Sequence, residues 1–413
     1  MKPTLHVEVV QKNESNLLET TLTNYVLAGL AGKVLTRGIT FNNWANELLA
    51  DHVESIHICD DNNPDSVQSV QIENFDPQIH IYKLNNEGVQ VESIESGDGD
   101  GQEVSAAHHW LLPSRDFHGL WESLIYESNI KENLLQCMET TLLFSDRNVS
   151  PFVITWNRVI LLHGPPGTGK TSLSKALAQK LAIRLSKRYS HAQLLEVNSH
   201  SLFSKWFSES GKLVMRMFSK VRELAENQDA LVVILIDEVE SLTQARTSHS
   251  GVEPSDAIRT VNAVLTQLDN LKQYTNVLIM ATSNVTDAID LAFVDRADIK
   301  QYIGPPPVKG IYSILASCIN ELKRVSIISP SGGLYSYDLV SLTDSSENSI
   351  DSQTLLQISK DCEGLNGRTL RKLPYLAHAL FIQKPSSSLK DFLEALAKTV
   401  VKHKNDVEAL KKK

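Results

Sequence analysis

Cysteine is scarce in this 413-residue chain: Cys59, Cys137, Cys318 and Cys362 stand far apart, with no C-x-x-C spacing among them. The scarcity argues against a zinc framework or a disulfide scaffold and for reduced, buried thiols. Long apolar runs are missing as well. No stretch of about 18 uninterrupted apolar residues occurs, so no membrane span is expected. The opening Met1-Lys2-Pro3-Thr4-Leu5-His6-Val7-Glu8 lacks the apolar core of a secretory signal, which makes the cytoplasm or nucleus the expected location. Basic charge is in deficit too, with 40 Lys and Arg against 49 Asp and Glu and a net charge of -9. A general nucleic-acid binder needs a basic face to release counterions, so no direct nucleic-acid binding is expected. The stretch from Lys402 to Lys411-Lys412-Lys413 is locally basic and reads as a frayed, solvated end.

What is present describes a soluble multidomain protein. The length exceeds the size at which one core keeps growing, so two or three domains are expected. In residues 1–92, Leu5, Val7 and Val9 alternate with polar neighbours and Ile79, Ile81 and Tyr82 lie in a similar run, with helix-like stretches at Leu17 to Leu30 and Phe41 to Ala50. That pattern predicts a separate small α/β domain. Residues 93–103 are acidic and glycine-rich and predict a flexible linker. Across 104–305, apolar runs at 159 to 162, 194 to 197, 231 to 236 and 277 to 281 alternate with helical patterns, as in a parallel sheet covered by helices. From 306 to 413, helical periodicity at Ile311 to Leu322, Leu355 to Cys362, Leu370 to Phe381 and Leu389 to Val401 predicts a small helical domain.

One motif carries chemistry unaided. Gly164-Pro165-Pro166-Gly167-Thr168-Gly169-Lys170-Thr171 follows an apolar strand and precedes the helical pattern starting at Ser172. Glycines at 164, 167 and 169 let the backbone curl and aim its N–H groups at phosphate oxygens. Lys170 would reach the β- and γ-phosphates, Thr171 would ligate Mg²⁺, and the helix N-terminus adds its dipole. A second element is the apolar strand Leu231 to Ile236 ending in Asp237-Glu238. Asp237 would hold Mg²⁺ through water together with Thr171, and Glu238 would polarise the attacking water. Alone, two acids at a strand end are equally an ordinary turn.

Other candidates depend on that context. Asn284, after the run Val277 to Thr282, can position the same water or simply form a turn. Arg296 in Val294-Asp295-Arg296-Ala297-Asp298 is either a finger reaching a neighbouring subunit or part of a surface ion-pair network. Arg368 opens a helix after Gly364-Leu365-Asn366-Gly367 and can touch phosphates, with Arg371 a competitor for that role. Trp206 and Phe207 stand among polar and small residues, which suits a loop that grips a partner as well as packing at a helix end.

Taken in order from residue 164 to Arg368, these residues resemble the AAA+ ATPases. Arg259-Thr260-Val261-Asn262-Ala263-Val264-Leu265-Thr266-Gln267-Leu268-Asp269 is similar to the family's second region of homology. Closer still, the strings 198–212, around Trp206-Phe207, and 292–305, around Arg296, look like the pachytene checkpoint ATPase family, which includes thyroid receptor-interacting protein thirteen. The resemblance covers about 107 to 307 and Gly364 to Leu380 and is weak before 100.

It implies an AAA+ P-loop NTPase fold with a helical lid, and a homo-hexamer with ATP and Mg²⁺ at subunit boundaries. It further implies a pore that pulls the N-terminal segment of closed HORMA-domain proteins until they open, with an adaptor. Spindle-checkpoint disassembly and remodelling of the meiotic chromosome axis are the implied processes, in nucleus and cytoplasm, on meiotic chromosomes and at mitotic kinetochores.

By the same resemblance, the nucleotide pocket comprises Gly164, Pro165, Pro166, Gly167, Thr168, Gly169, Lys170, Thr171, Ser172 and Asp237, with His118-Gly119 beside the adenine. Thr171 and Asp237 serve Mg²⁺, Glu238 is the hydrolytic carboxylate, and Asn284 and Arg368 are the two sensors. Trp206 and Phe207 fall on the pore loop. The wider family often has two arginines before the last strand, where this chain has Arg296 alone. A small-molecule kinase on the same loop and a ring scaffold that does not hydrolyse are the alternatives. Hydrolysis stimulated by a folded protein, with no phosphorylated acceptor, separates them.

Overall fold

Leu5, Val7 and Val9 lie on one face of the first strand, and that face nucleates an N-terminal core. The computed structural model describes residues 2–411 apart from 43, 45, 61–68, 96–102, 127–128, 151, 198–209, 242–253, 285–288, 290, 331–332 and 341–346. Strands β1 (Thr4–Gln11), β2 (Val34–Thr36), β3 (Thr40–Phe41), β4 (Val53–Ile58), β5 (Ser69–Gln71) and β6 (Asp76–Tyr82) form a sheet ordered β3-β4-β1-β6 and a β2-β5 ribbon. β1 runs antiparallel to β4 and parallel to β6. Helix Glu19–Leu30 brings Leu22, Val26 and Leu30, four residues apart, onto Leu5, Val7, Val9, Ile56 and Ile58, as an apolar helical stripe must. The expected helix at Phe41 to Ala50 is shorter. Thr40–Phe41 pairs with β4 instead, and the helix is Glu47–His52, started by Asn46, whose side chain accepts the Leu48 N–H.

The strand period of two turns Glu8 away from that core. The alternation led us to expect β1 to be half-buried, yet Glu8 is only 2% exposed. Both faces of β1 are therefore covered.

A second sheet contains β7 (Gln90–Glu95), β8 (Glu103–Leu112), β9 (Val159–His163), β10 (His191–Val197), β11 (Ala230–Ile236), β12 (Val277–Ser283) and β13 (Ile299–Tyr302) in the order β13-β9-β12-β11-β10-β8-β7. The first five in that order are mutually parallel. β8 is antiparallel to β10, and β7 to β8. The sheet is thus mixed, not wholly parallel, because the chain enters it by an edge hairpin. That hairpin also corrects the expected linker. Ser93–Glu95 and Glu103 belong to strands whose ladder bonds take up backbone groups that composition alone leaves to water, and only 96–102 lies between them. Every residue of β11 is buried, as expected of a central strand in a covered sheet.

The described chain divides into two bodies. One holds 1–123, 129–163 and 171–302; the other holds 124–128, 164–170 and 303–413. In the second, helices Val308–Arg324, Glu347–Asp361, Gly367–Ala377 and Leu389–Lys411 share a core that includes Ile311, Leu315, Leu355, Leu370, Phe392 and Leu396. The basic end is ordered helix as far as Lys411 rather than frayed, since it continues a helix anchored upstream by Leu396 and Val400. Among the cysteines, Cys59 and Cys362 are buried but Cys137 is exposed, and all four are free. Burial pushes the thiols of Cys59 and Cys362 up to about 12.

Candidate active site

The phosphate-loop glycines adopt backbone conformations that side chains resist. Gly167 and Gly169 have φ of 78° and 94°. A Cβ on Gly167 would stand 2.7 Å from the Asn366 amide nitrogen, and one on Gly169 3.1 Å from the Tyr126 hydroxyl. Both positions therefore require glycine. Thr168 Oγ1 donates to the Pro165 carbonyl at 2.9 Å and holds the curl. Lys170, 4% exposed, donates from Nζ to the carbonyls of Gly164 (2.9 Å) and Pro165 (2.8 Å). The loop's own carbonyls thus hold a buried ammonium beside a ring of glycines, a donor set that fits a polyphosphate.

The lid residues reach this loop through backbone and cap. Asn366 Oδ1 accepts the Thr369 N–H at 2.8 Å and caps helix Gly367–Ala377, a role Asn fills well. Its Nδ2 donates to the Pro166 carbonyl at 3.1 Å. The Arg368 N–H donates to the Gly167 carbonyl at 3.1 Å, and its side chain, like that of Arg371, is exposed. Sequence reasoning singled out Arg368 for its charge and missed Asn366, for which the cap position before a helical pattern was the available signal.

In the other body, the acidic strand end is tied into one network. Thr171 Oγ1 donates to Asp237 Oδ1 at 2.8 Å. Thr282, at the end of β12, donates to the same carboxylate oxygen and accepts the Glu238 N–H at 3.1 Å. Glu238 has φ of 55°, a left-handed conformation costing a non-glycine residue of order 1–3 kcal/mol. The Thr282 hydroxyl and the Val239 N–H bond to the Thr282 carbonyl (2.9 Å) hold it there. Asn284 Nδ2 donates to Glu238 Oε1 at 3.1 Å. The Asn284 N–H donates at 3.0 Å to Oε1 of Glu240, which is 6% exposed.

Asp237, Glu238, Asn284 and Thr171 are thus together, while Thr282 and Glu240 complete a frame that sequence reading overlooked. Polar Thr282-Ser283 closing an apolar strand, and a third acid two places after Glu238, were the signals. Thr282→Val removes both side-chain bonds, so steady-state ATP turnover should fall about 10- to 100-fold. An unchanged rate would show that backbone alone holds Glu238.

Arg296 ends helix Leu291–Arg296 and forms an ion pair within the chain. Its Nε and Nη2 donate to the two carboxylate oxygens of Asp269 at 3.1 and 2.7 Å, and Nη1 donates to the Ala292 carbonyl at 2.7 Å. The Arg296 hydrogen bonds are the main reason the Asp269 carboxyl lies below its ordinary range. Of the flanking aspartates, Asp298 accepts the Asn157 and Val159 N–H groups. His118 and Gly119 are exposed and border a cavity of about 100 Å³. Ser172 is half-buried at the helix start. Trp206 and Phe207 lie outside the described residues.

Among the described residues no group of three or more His, Cys, Asp or Glu can hold a metal. Thr171 and Asp237 nevertheless offer two hard oxygens. That suits Mg²⁺, which keeps several waters and shares its shell with phosphates.

Three family models match the chain: TRIP13 N-terminal domain over 1–87, ATPase family associated with various cellular activities over 160–305, and TRIP13-like, AAA+ ATPase lid C-terminal domain over 307–404. The chain is 52% identical over 408 residues to pachytene checkpoint protein 2 homolog of Gallus gallus (96% of this chain, 93% of the relative). It is 50% identical over 405 residues to the Homo sapiens homolog (97% and 93%). Its structure is similar to that of C. elegans PCH-2, with a TM-score of 0.78 and 34% identity over 98% of this chain and 100% of the other. It also resembles a chain of an E. coli MS115-1 HORMA:CdnC:Trip13 complex in fold, with a TM-score of 0.55 and 16% identity over 70% and 94%.

Proposed function

The chain belongs to the pachytene checkpoint protein 2 family of AAA+ ATPases, and from that premise we propose that it is a hexameric remodeller converting closed HORMA-domain proteins to their open form. The observation that carries the hydrolytic half of this reading is the frame around Glu238: a carboxylate on a left-handed backbone, held 3.1 Å from the Asn284 amide beside the Thr171–Asp237 pair. Lys170 and the glycine loop bind the β- and γ-phosphates of ATP. Thr171 and Asp237 would hold Mg²⁺, which neutralises charge developing on the phosphoryl oxygens. Glu238 orients a water for attack and takes up its proton, and Asn284 fixes the carboxylate and the water in line. Arg368 reads the phosphates from the lid. Arg296 reaches the site of a neighbouring subunit once it exchanges Asp269 for phosphate, which adds a positive charge to those of Lys170 and Arg368.

The cycle drives Trp206 and Phe207 against the N-terminal segment of the client, which is presented with a HORMA adaptor through the N-terminal domain. The 16%-identical fold neighbour is named for a complex with a HORMA protein, and this supports the client class. Spindle-checkpoint disassembly and remodelling of the meiotic axis are the proposed settings, in nucleus and cytoplasm, on meiotic chromosomes and at mitotic kinetochores. The test is an ATPase assay with and without a closed HORMA-domain protein, read beside particle mass. Stimulated hydrolysis by a six-subunit particle supports the reading; a monomer in saturating ATP that leaves the client closed overturns it. Trp206→Ala should keep basal hydrolysis while client conversion stops, and conversion at the unaltered rate would remove the aromatic grip.

A further inference from the structure

We infer that Glu8, a residue of the N-terminal sheet, is a positioning residue of the nucleotide site and acts through Lys180. The inference rests on the ATPase reading above and adds a second element to it. Lys180 sits on helix Lys170–Arg184, whose first turn carries Lys170 and Thr171. Its Nζ donates to Glu8 Oε2 at 2.7 Å and to Glu122 Oε1 at 3.0 Å. Arg184, one turn on, places Nε 3.5 Å from Glu8 Oε1. Glu8 and Lys180 are 2% and 4% exposed. One ammonium therefore pins three segments: strand β1, the helix that carries Thr171, and the stretch leading from His118-Gly119 through Trp121 to Glu122. The same helix is also fastened by Gln179, whose side chain exchanges two hydrogen bonds (2.7 and 2.8 Å) with the Ser114 backbone.

Two physical arguments make this more than packing. A buried ion pair adds little stability over apolar residues of the same volume, but it tolerates only one geometry. A charged contact at this place therefore fixes the seating of the helix more strictly than an apolar one would. Helices are also stiff, and Thr171 is nine residues, about 14 Å, along the axis from Lys180. Tilting the Lys180 end accordingly displaces Thr171. The cavity bordered by Glu8, His57, Glu122, Lys180, His118 and Gly119 brings both proposed nucleotide-facing stretches to one cluster of charges, whose key acid comes from the N-terminal sheet. When a client moves that sheet, the nucleotide site feels it through this contact.

The experiment compares Glu8→Gln with Glu54→Gln in the full chain. Glu54 also ties the N-terminal sheet down, through a bidentate pair with Arg115 (2.8 and 2.9 Å), but it touches nothing on the helix in that pair. Affinity for a fluorescent ATP analogue is measured with turnover at saturating ATP and with the melting temperature. Glu8→Gln should weaken nucleotide binding about fivefold or more, while Glu54→Gln stays within about twofold in affinity and in turnover at saturation. Nucleotide affinity in Glu8→Gln equal to that of the unaltered chain, with only the melting temperature lowered, overturns the inference and leaves the cluster a purely structural contact. Equal weakening in both variants overturns it as well. If Glu8→Gln does not fold, Glu8→Asp, which keeps the charge one methylene further back, must weaken binding in the same direction, and unaltered affinity there is equally decisive. Should the unaltered chain bind no ATP, the ATPase reading itself has failed, and the melting temperatures identify that case separately.

Discussion

Glu238→Gln is expected to bind ATP with unaltered affinity and to turn it over at least about 100-fold more slowly. The amide still accepts a hydrogen bond from Asn284, and the loop that binds phosphate contains no part of residue 238, so binding and turnover separate. The neighbouring acids are already engaged: Asp237 accepts the Thr171 and Thr282 hydroxyls, and Glu240 accepts the Asn284 N–H. Single-turnover hydrolysis beside analogue binding checks this. Turnover within about tenfold of the unaltered chain would transfer the catalytic carboxylate elsewhere.

Lys180→Met is expected to have the largest effect on stability. It strands the buried Glu8 carboxylate, while Glu122 keeps access to water, and breaking a buried pair such as Glu8–Lys180 costs about 3–5 kcal/mol. Denaturant unfolding followed at the N-terminal sheet measures it, and a loss under about 1 kcal/mol would show that solvent reaches the cluster. The variant Glu8→Leu/Lys180→Met should recover part of the loss, because an apolar pair leaves fewer charges unpaired.

The pH dependence has a definite sign. Burial alone would raise the Glu8 carboxyl, but the charges of Lys180 and Arg184 and the Lys180 hydrogen bond more than offset it and hold it at about 2, against an ordinary 4.5. A carboxyl lowered on folding contributes stability that is complete above its unfolded value and disappears as pH falls through the folded one. The cluster's contribution is therefore full above about pH 5 and fades between there and about 2. Lys180 is displaced the other way: burial would lower it, but Glu8 first and then its other neighbours raise it. Its contribution is present below the ordinary lysine range and is lost only in strong alkali. His57, though 3.7 Å from Glu122, is held below its ordinary range by burial and faces that carboxylate as a neutral ring near pH 7.

Local pattern made much of the architecture legible. Strands β9 to β12 and the long lid helices arise where apolar spacing demands them, and the phosphate loop was readable because its glycines, lysine and threonine are contiguous. The misreadings share a cause. Phe41 scans as helix but pairs with β4, and Ser93–Glu95 scans as linker but completes a hairpin with β8. In both places a partner strand distant in sequence supplied hydrogen bonds that composition cannot anticipate. The charge of Arg296 was legible; its bidentate partner, Asp269, lies 27 residues upstream and was not.

The chain's order of residues was enough to specify a glycine-cradled ammonium, a strand-end acid pair and the family that shares them, since those depend on neighbours a few places apart. Folding in three dimensions was needed to show that Thr282 and Glu240 frame Glu238 and Asn284, and that Glu8 is buried against Lys180, 172 residues away. Such contacts join side chains whose positions are set by different strands and helices, and sequence spacing carries no measure of the distance between them.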